Sequence, residues 1–184
     1  EGFDLAFDGL RRDNYVVAPL NLKQDPLVPD DAAVLIISGP RQDLDQAEIQ
    51  ILTDYIKDGG RIVALLDPGT PRSYIDLFKI WGVTIGTDDL ADAVSHVSGN
   101  LLTPLVQRTN GQFVDGRGVD ITQDLNVTFF PGLTFVTSTQ SQDEIPPWLS
   151  IVPLALTTPA SWVETDVENV QFDADKDILG PYPV

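Results

Sequence analysis

Apolar residues in the first half of the chain recur at spacings that alternate between helix and strand. The spacing over Leu5–Asn14 predicts a short helix, and residues 15–22 then read as a strand. The uninterrupted apolar run Val34–Ser38 is typical of a strand buried on both faces, as in a parallel sheet covered by helices. A further run, Arg61–Asp67, predicts the next strand and leads into a turn.

The clearest helix signal lies between these two runs. Asp45 and Glu48 form an Asp-x-x-Glu capping box, in which each side chain binds a backbone N–H at the helix start. Gly59-Gly60 then supplies a left-handed stop, so we expect a helix over about residues 45–58. Strand, helix and strand with such short connections predict a right-handed crossover between parallel neighbours.

The pattern is weaker in the second half. Ser73–Trp81 predicts another helix and Val83–Ile85 a short strand. Later strand-like pieces are separated by connections with Gly, Asn, Asp and Pro, and they cover residues 104–108, 133–139 and 151–157. We therefore expect a single α/β domain over residues 1–184, regular over about 1–90 and less regular over about 91–184.

Composition narrows the classes of function. The 184 residues carry 28 acidic and 11 basic side chains, and this net charge of −17 argues against nucleic acid and anionic lipid as partners. The absence of cysteine excludes disulfides, thiol nucleophiles and thiolate metal sites. No apolar run approaches the roughly 18 residues of a membrane span, and we expect no signal peptide within these residues. Because the sequence has no methionine, even at its start, we expect it to be a piece of a longer protein.

Asp67 is the first candidate for chemistry, because open α/β proteins place ligands and catalysts beyond the carboxyl ends of their strands. With Asp25 or Asp43 it could hold a divalent ion in a metal-assisted hydrolase or a phosphotransfer domain. The first predicted strand, however, is followed by one acid near a lysine, where such a site carries an acidic pair. The residues therefore favour a plain turn formed by Asp67, Pro68 and Gly69.

Nucleophilic and nucleotide-binding sites have weaker support. Ser38-Gly39-Pro40 follows a strand but lacks the Gly-x-Ser-x-Gly elbow of serine hydrolases. The single histidine, His96, lies in a weakly patterned stretch, and we expect it at the surface. The glycines form neither Gly-x-Gly-x-x-Gly nor a Walker motif. We expect no catalytic residue, metal or cofactor, while a periplasmic-type small-ligand site stays open, since it depends on a concave pocket.

A family resemblance is densest over residues 28–69, which read VPDDAAVLIISGPRQDLDQAEIQILTDYIKDGGRIVALLDPG. This stretch resembles the extracytoplasmic domain of the gliding-motility auxiliary (GldG-type) proteins, also described as an ABC-type uncharacterised transport system. Leu156–Glu164 and Asp177–Pro181 resemble later motifs of that family. Val119–Thr122 stands where the family often has His-Pro-Ile-Thr, so its first two residues depart from the pattern. The resemblance covers most of the chain.

The resemblance implies a fold, a location and partners. The fold is a three-layer α/β domain with a mostly parallel sheet flanked by helices, similar to flavodoxin-like and class I glutamine amidotransferase-like folds. The location is the extracytoplasmic face of the bacterial cytoplasmic membrane, with anchoring transmembrane helices outside this chain and an ABC permease and ATPase beside it. Amidotransferases of this fold use a cysteine and a histidine, and this chain has no cysteine.

The residue patterns and the family resemblance both predict a non-catalytic accessory domain. It would bind permease or ATPase subunits, other envelope proteins or an envelope ligand through two strand-end loops. The predicted binding residues are Ser38, Gly39, Pro40, Arg41 and Asp43 in the first loop, and Asp67, Pro68, Gly69 and Arg72 in the second.

Overall fold

The computed structural model of the protein describes residues 3–107, 127–139 and 152–184. Its residue contacts divide the chain into two compact units. Unit 1 comprises Glu1–Ile36 and Leu44–Val63, and unit 2 comprises Ile37–Asp43 and Ala64–Val184. That the chain forms a single domain of a longer protein stays a prediction.

Unit 1 begins with the predicted first helix. Helix α1 spans Asp4–Arg12, and Asn14 follows it with φ of 65°, a left-handed conformation that asparagine tolerates well. The strand predicted over residues 15–22 is wrong, since this stretch has no ladder partner in the described part of the chain. Val16 is 98% exposed there, and apolar character alone does not supply the neighbour that a strand needs.

Helix α2, Gln46–Lys57, confirms the helix predicted from the capping box. Asp45 Oδ1 accepts hydrogen bonds from the N–H groups of Ala47 and Glu48, both at 3.0 Å. Glu48 Oε2 in return accepts from the N–H of Asp45 at 2.9 Å. The helix buries Leu52 and ends before Gly59, whose φ is 88°.

A pair of parallel strands flanks α2 in sequence. The two strands are β1 (Leu35–Ser38) and β2 (Ile62–Leu65). The N–H of Leu35 donates to the carbonyl of Arg61, and the N–H of Gly39 donates to the carbonyl of Leu65, each at 2.9 Å. Both bonds have the same sequence offset, so the strands run in the same direction, as predicted.

The prediction that β1 is buried on both faces is wrong, and β2 is open on one face as well. Ile36 and Val63 are 43% and 47% exposed, while their sequence neighbours along each strand are half-buried. The alternation follows from the two-residue period of a strand, with one face packed and the other open.

Unit 2 contains helix α3 and the remaining strands. Helix α3 spans Arg72–Ile80, close to its predicted bounds, and β3 spans Val83–Ile85 as predicted. The further strands are β4 (Asp89–Asp92), β5 (His96–Val97), β6 (Asn100–Gln107), β7 (Val127–Phe129), β8 (Val136–Ser138) and β9 (Ser161–Glu164). Residues 108 and 151, at the limits of two predicted strands, lie outside the described residues, and residues 152–157 contain no named strand.

The sheets of unit 2 are small and antiparallel. They pair β3 with β8, β4 with β9, and β5 with β6 with β7. The fold of the described residues is therefore mixed α/β, and it does not support the predicted three-layer, mostly parallel, flavodoxin-like or amidotransferase-like sheet. The short connections explain the antiparallel pairing. Ser98 and Gly99, with φ of 49° and 80°, join β5 to β6 in a tight hairpin. A turn this short can connect only antiparallel strands.

The apolar core of unit 2 gathers residues from its helix and several strands. Leu77 of α3 is 1% exposed, and Leu90 of β4 is fully buried. The other buried apolar side chains are Ile85, Ala91, Val106, Leu133 and Trp162.

Candidate functional site

Residues 38–43 and 67–72, both in unit 2, are called here the first loop and the second loop. A salt bridge connects them, with Arg41 Nη2 3.2 Å from Asp67 Oδ2. The arginine side chain is 77% exposed and the aspartate side chain 56%. The predicted binding residues Arg41 and Asp67 are thus brought together, on a surface that solvent reaches.

The second loop begins with a tight turn. The N–H and the hydroxyl of Thr70 both donate to the carbonyl of Asp67, at 3.1 Å and 2.7 Å. Gly69, third in the turn, has φ of 79°, which a type II turn requires at that position. The prediction that Asp67 opens an Asp-Pro-Gly turn is confirmed.

The first loop passes close to the Asp67 carboxylate. Gly39 adopts φ of 50°, and a Cβ added there would lie 3.5 Å from Asp67 Oδ2. Ser38 and Pro40 on either side are half-buried. Glycine therefore meets a left-handed backbone requirement at a point where the loop turns over the carboxylate.

Asp43 connects the first loop to the start of helix α3, directly after the second loop. Helix α3 has Pro71 at its N-cap, which provides no side-chain cap, and the N–H of Ser73 donates to Asp43 Oδ1 at 3.0 Å. Hydrogen bonds from the backbone and the side chain of Ser73 lower the pKa of Asp43. Arg72, the last predicted residue, is turned along the helix, with Nε 3.0 Å from Asp76 Oδ1.

This arrangement does not favour the metal-assisted hydrolase or phosphotransfer alternative. The carboxylate of Asp67 is paired with Arg41, and that of Asp43 caps a helix. Among residues 3–107, 127–139 and 152–184, no three His, Cys, Asp or Glu side chains are grouped so that they could hold a metal ion. Asp25 belongs to unit 1 rather than to the loops.

The histidine is engaged elsewhere in unit 2. His96 Nδ1 lies 2.9 Å from the carbonyl oxygen of Asp92, and the side chain is half-buried rather than at the surface as predicted. The ring is therefore bonded to backbone, a common structural role for a partly buried imidazole.

Sequence reasoning missed a buried carboxylate in β4. Asp92 is fully buried, and its Oδ1 accepts from the N–H groups of Val94 and Ser95, both at 2.9 Å, and from the Thr158 hydroxyl at 2.8 Å. Its Oδ2 accepts from the N–H of Thr158 at 2.9 Å. Burial acts to raise the pKa of Asp92, but these hydrogen bonds outweigh it and the pKa lies below its ordinary value.

Two pieces of the family resemblance meet beside this carboxylate. The N–H of Tyr182 donates to Thr157 Oγ1 at 2.8 Å, and the N–H of Gly180 donates to the carbonyl of Ser161 at 2.8 Å. The hydroxyls of Thr157 and Ser161 lie 2.6 Å apart. These motif residues are therefore structural. The third piece, Val119–Thr122, lies outside the described residues.

Unit 1 carries a groove of about 560 Å³ between the chain around Leu27 and the end of α2. Its polar lining includes Asp30, Asp58 and Tyr55. The Tyr55 hydroxyl donates to the carbonyl of Arg61 at 3.1 Å and accepts from the N–H of Arg61 at 3.2 Å. These two bonds fix the orientation of the Tyr55 ring in the lining of the groove. No sequence pattern predicted this groove, because it depends on how a loop without regular structure packs beside the helix.

Within the described ranges, no helix has both the length and the apolar character needed to cross a membrane.

Comparison with known proteins identifies a family and a structure of similar fold. No curated protein matches the sequence. Among solved structures, the mmIFT52 N-terminal domain is similar, with a TM-score of 0.53 and 16% identity over 85% of this chain and 66% of that one. The chain thus spans just under two thirds of that domain, and the likeness concerns the fold alone. The family described as ABC-type uncharacterized transport system matches residues 6–183, so the chain belongs to this family, which implies an auxiliary component of an ABC-type transport system.

Proposed function

We propose that the chain is a non-catalytic accessory domain that binds a partner of an ABC-type transport system through the surface of the first and second loops. It acts at the extracytoplasmic face of the bacterial cytoplasmic membrane, anchored by transmembrane helices outside this chain. The partner is the permease or another envelope protein. Family membership supports the auxiliary role, and the gliding-motility type of system is the version that the motifs favour.

The observation that carries this proposal is a pair of contacts made by the first loop. The Arg41–Asp67 pair connects it to the second loop, and the Asp43–Ser73 hydrogen bond connects it to the start of α3, before any partner arrives. A preorganised surface loses less conformational entropy on binding than a flexible one. The exposed guanidinium and carboxylate then offer a partner one charge of each sign, which favours specificity.

The same contacts support a role without catalysis. A general base needs a free proton acceptor within reach of its substrate. Here the carboxylate of Asp43 caps a helix and that of Asp67 is paired with Arg41, so both carboxylates of the loops already serve structural contacts. The loops are therefore arranged for contact.

Direct binding tests the proposal. The purified domain is immobilised and the extracytoplasmic segments of the permease encoded beside it are titrated by biolayer interferometry. Arg41→Glu places a negative charge against Asp67, so the link between the loops is lost and the charge offered to the partner is reversed. We expect this variant to bind about tenfold more weakly or worse, a loss of about 1.4 kcal/mol.

Arg12→Glu is the matched control, because it makes the same change of charge at an exposed arginine of α1. It should bind like the wild type. Equal binding by wild type and Arg41→Glu, or no binding by wild type, would contradict the proposal.

The groove of unit 1 supports a second candidate, a periplasmic-type small-ligand site. Its volume of about 560 Å³ falls in the range typical of ligand pockets, and Tyr55 with the nearby carboxylates Asp30 and Asp58 suits a small organic cation. A saturable rise in melting temperature with such amines, reduced by Asp58→Asn, would favour this candidate.

A further inference from the structure

A second surface of unit 2 is an apolar hollow of about 380 Å³, called here the Trp162 hollow. It is lined by Ala93, Pro159, Ala160, Trp162, Phe172 and Leu179. We propose that it docks a basic peptide segment of a protein partner, which inserts one large apolar side chain. This inference concerns a different surface from the two loops, and it holds or fails independently of them.

The floor of the hollow is fixed in orientation. Trp162 is 3% exposed, and its Nε1–H donates to Glu164 Oε2 at 3.0 Å. The ring of Phe172 meets it edge to face, with centroids 5.9 Å apart and an interplanar angle of 70°. Trp162 is therefore a buried support that holds the half-buried ring of Phe172 in place, and a side chain entering the hollow meets a preformed apolar surface.

The walls are held by backbone hydrogen bonds on both sides. The N–H of Ala93 donates to the carbonyl of Ala160 at 3.2 Å. Leu179 pairs with Trp162 through an isolated antiparallel bridge, yet 52% of it is exposed. A half-exposed leucine on a rigid wall can bury more of its surface only if something enters the hollow.

The charge of the segment that follows Trp162 in the sequence indicates what binds in the hollow. Residues 164–177, which include Phe172, carry one basic side chain, Lys176, and it is paired with Asp173 at 2.9 Å. The acidic residues of this segment are Glu164, Asp166, Glu168, Asp173, Asp175 and Asp177.

A segment rich in lysine or arginine complements this charge and would be attracted to it at long range. A second copy of the chain, with its own net charge of −17, and an anionic lipid surface would both be repelled. The combination of apolar hollow and acidic surroundings therefore favours a basic segment with one apolar anchor.

The test uses a short capped peptide with a central leucine flanked by lysines, titrated into the ¹⁵N-labelled domain. The indole N–H signal of Trp162 is followed, since this residue lines the hollow and its N–H is held by Glu164. We expect a saturable shift with the leucine peptide. A peptide with alanine in place of leucine should bind about tenfold more weakly, because most of the buried apolar area is lost. A peptide with glutamates in place of the lysines should not bind.

Two variants locate the site. Leu179→Asp puts a charge into the wall and should abolish the shift. Ile178→Asp adds the same charge at the adjacent residue, which is 75% exposed and does not line the hollow, so it should retain binding. Because the added charge itself attracts the lysines, a loss in Leu179→Asp alone must come from the apolar contact.

Several outcomes would overturn the proposal. These are equal binding of the leucine and alanine peptides, equal effects of the two variants, or no saturable shift. Concentration-dependent dimerisation that buries the Trp162 signal would assign the hollow to a second copy. Uptake of a neutral apolar dye without peptide binding would assign it to a small molecule. None of these results depends on whether the permease binds the two loops.

Discussion

Replacement of the buried carboxylate by an amide, Asp92→Asn, should destabilise unit 2 strongly. The amide keeps one acceptor oxygen, which can serve the three donors now bound to Oδ1. Its NH₂ group would then face the N–H of Thr158, which now donates to Oδ2. One hydrogen bond to a charged acceptor contributes about 1.5–3 kcal/mol, and a buried N–H left unpaired costs about 1–3 kcal/mol, so we expect a loss of about 2.5–6 kcal/mol.

The same carboxylate should make stability depend on acid pH. Because the folded-state pKa of Asp92 is below its ordinary value, its ionised form is favoured by folding. This stabilisation is fully present above the unfolded-state pKa of about 3.9 and is lost as the pH falls from there through the folded-state pKa. The difference in stability between wild type and Asp92→Asn should therefore be largest near neutral pH and shrink below about pH 4.

Urea denaturation followed by circular dichroism measures both effects, at neutral pH and in acid. Asp175→Asn is the control, since it removes the same charge from an exposed position and should change the free energy of unfolding little. A loss of less than about 1 kcal/mol for Asp92→Asn at neutral pH would show that the four hydrogen bonds do not stabilise the fold as argued.

Three further changes test the local structure. Gly180→Ala should destabilise the fold by about 1–3 kcal/mol, because a Cβ there would overlap the side chain of Ser161. Gly9→Ala is the control, since a Cβ at this position of α1 meets open space and should be neutral or stabilising. Equal melting temperatures of the two variants would contradict this prediction. Asp45→Ala removes the capping box and should lower the free energy of unfolding, measured by urea titration, by about 0.5–2 kcal/mol. An unchanged free energy of unfolding would contradict a stabilising role of this cap. Arg41→Ala should change stability by less than about 1 kcal/mol, since its pair with Asp67 is exposed, and a larger loss would mean that the loops stabilise the fold rather than serve contact.

Local signals in the sequence predicted the parts of the fold that depend on near neighbours. The capping box of Asp45 and Glu48 and the apolar face of α2 are contained in one segment, and the helix formed as expected. Strands β4 and β9 gave no such signal, because each carries buried acidic residues. Asp92 and Glu164 are buried only because donors far along the chain or across a turn satisfy them. A rule that places carboxylates at the surface therefore fails where hydrogen bonds compensate burial.

The candidate site was predicted as two loops but not as a set of contacts. Strand order along the chain placed both loops after strands, and the Asp-Pro-Gly turn was readable from its residue types. The contacts themselves could not be predicted, because they join residues that are far apart in sequence. These contacts are the pairing of Arg41 with Asp67 and that of Asp43 with the start of α3. The motif Asp177–Pro181 was identified only through the family resemblance, and the structural role of its Gly180 depends on the close approach of Ser161, which is distant in sequence.

Hydrogen–deuterium exchange of the domain, alone and with the permease segments, tests whether the first and second loops form the contact surface. On binding, we expect slower exchange in residues 38–43 and 67–72 and little change in α1. Protection confined to any other part of unit 2, or no protection with a bound permease, would contradict the assignment of these loops as the contact surface.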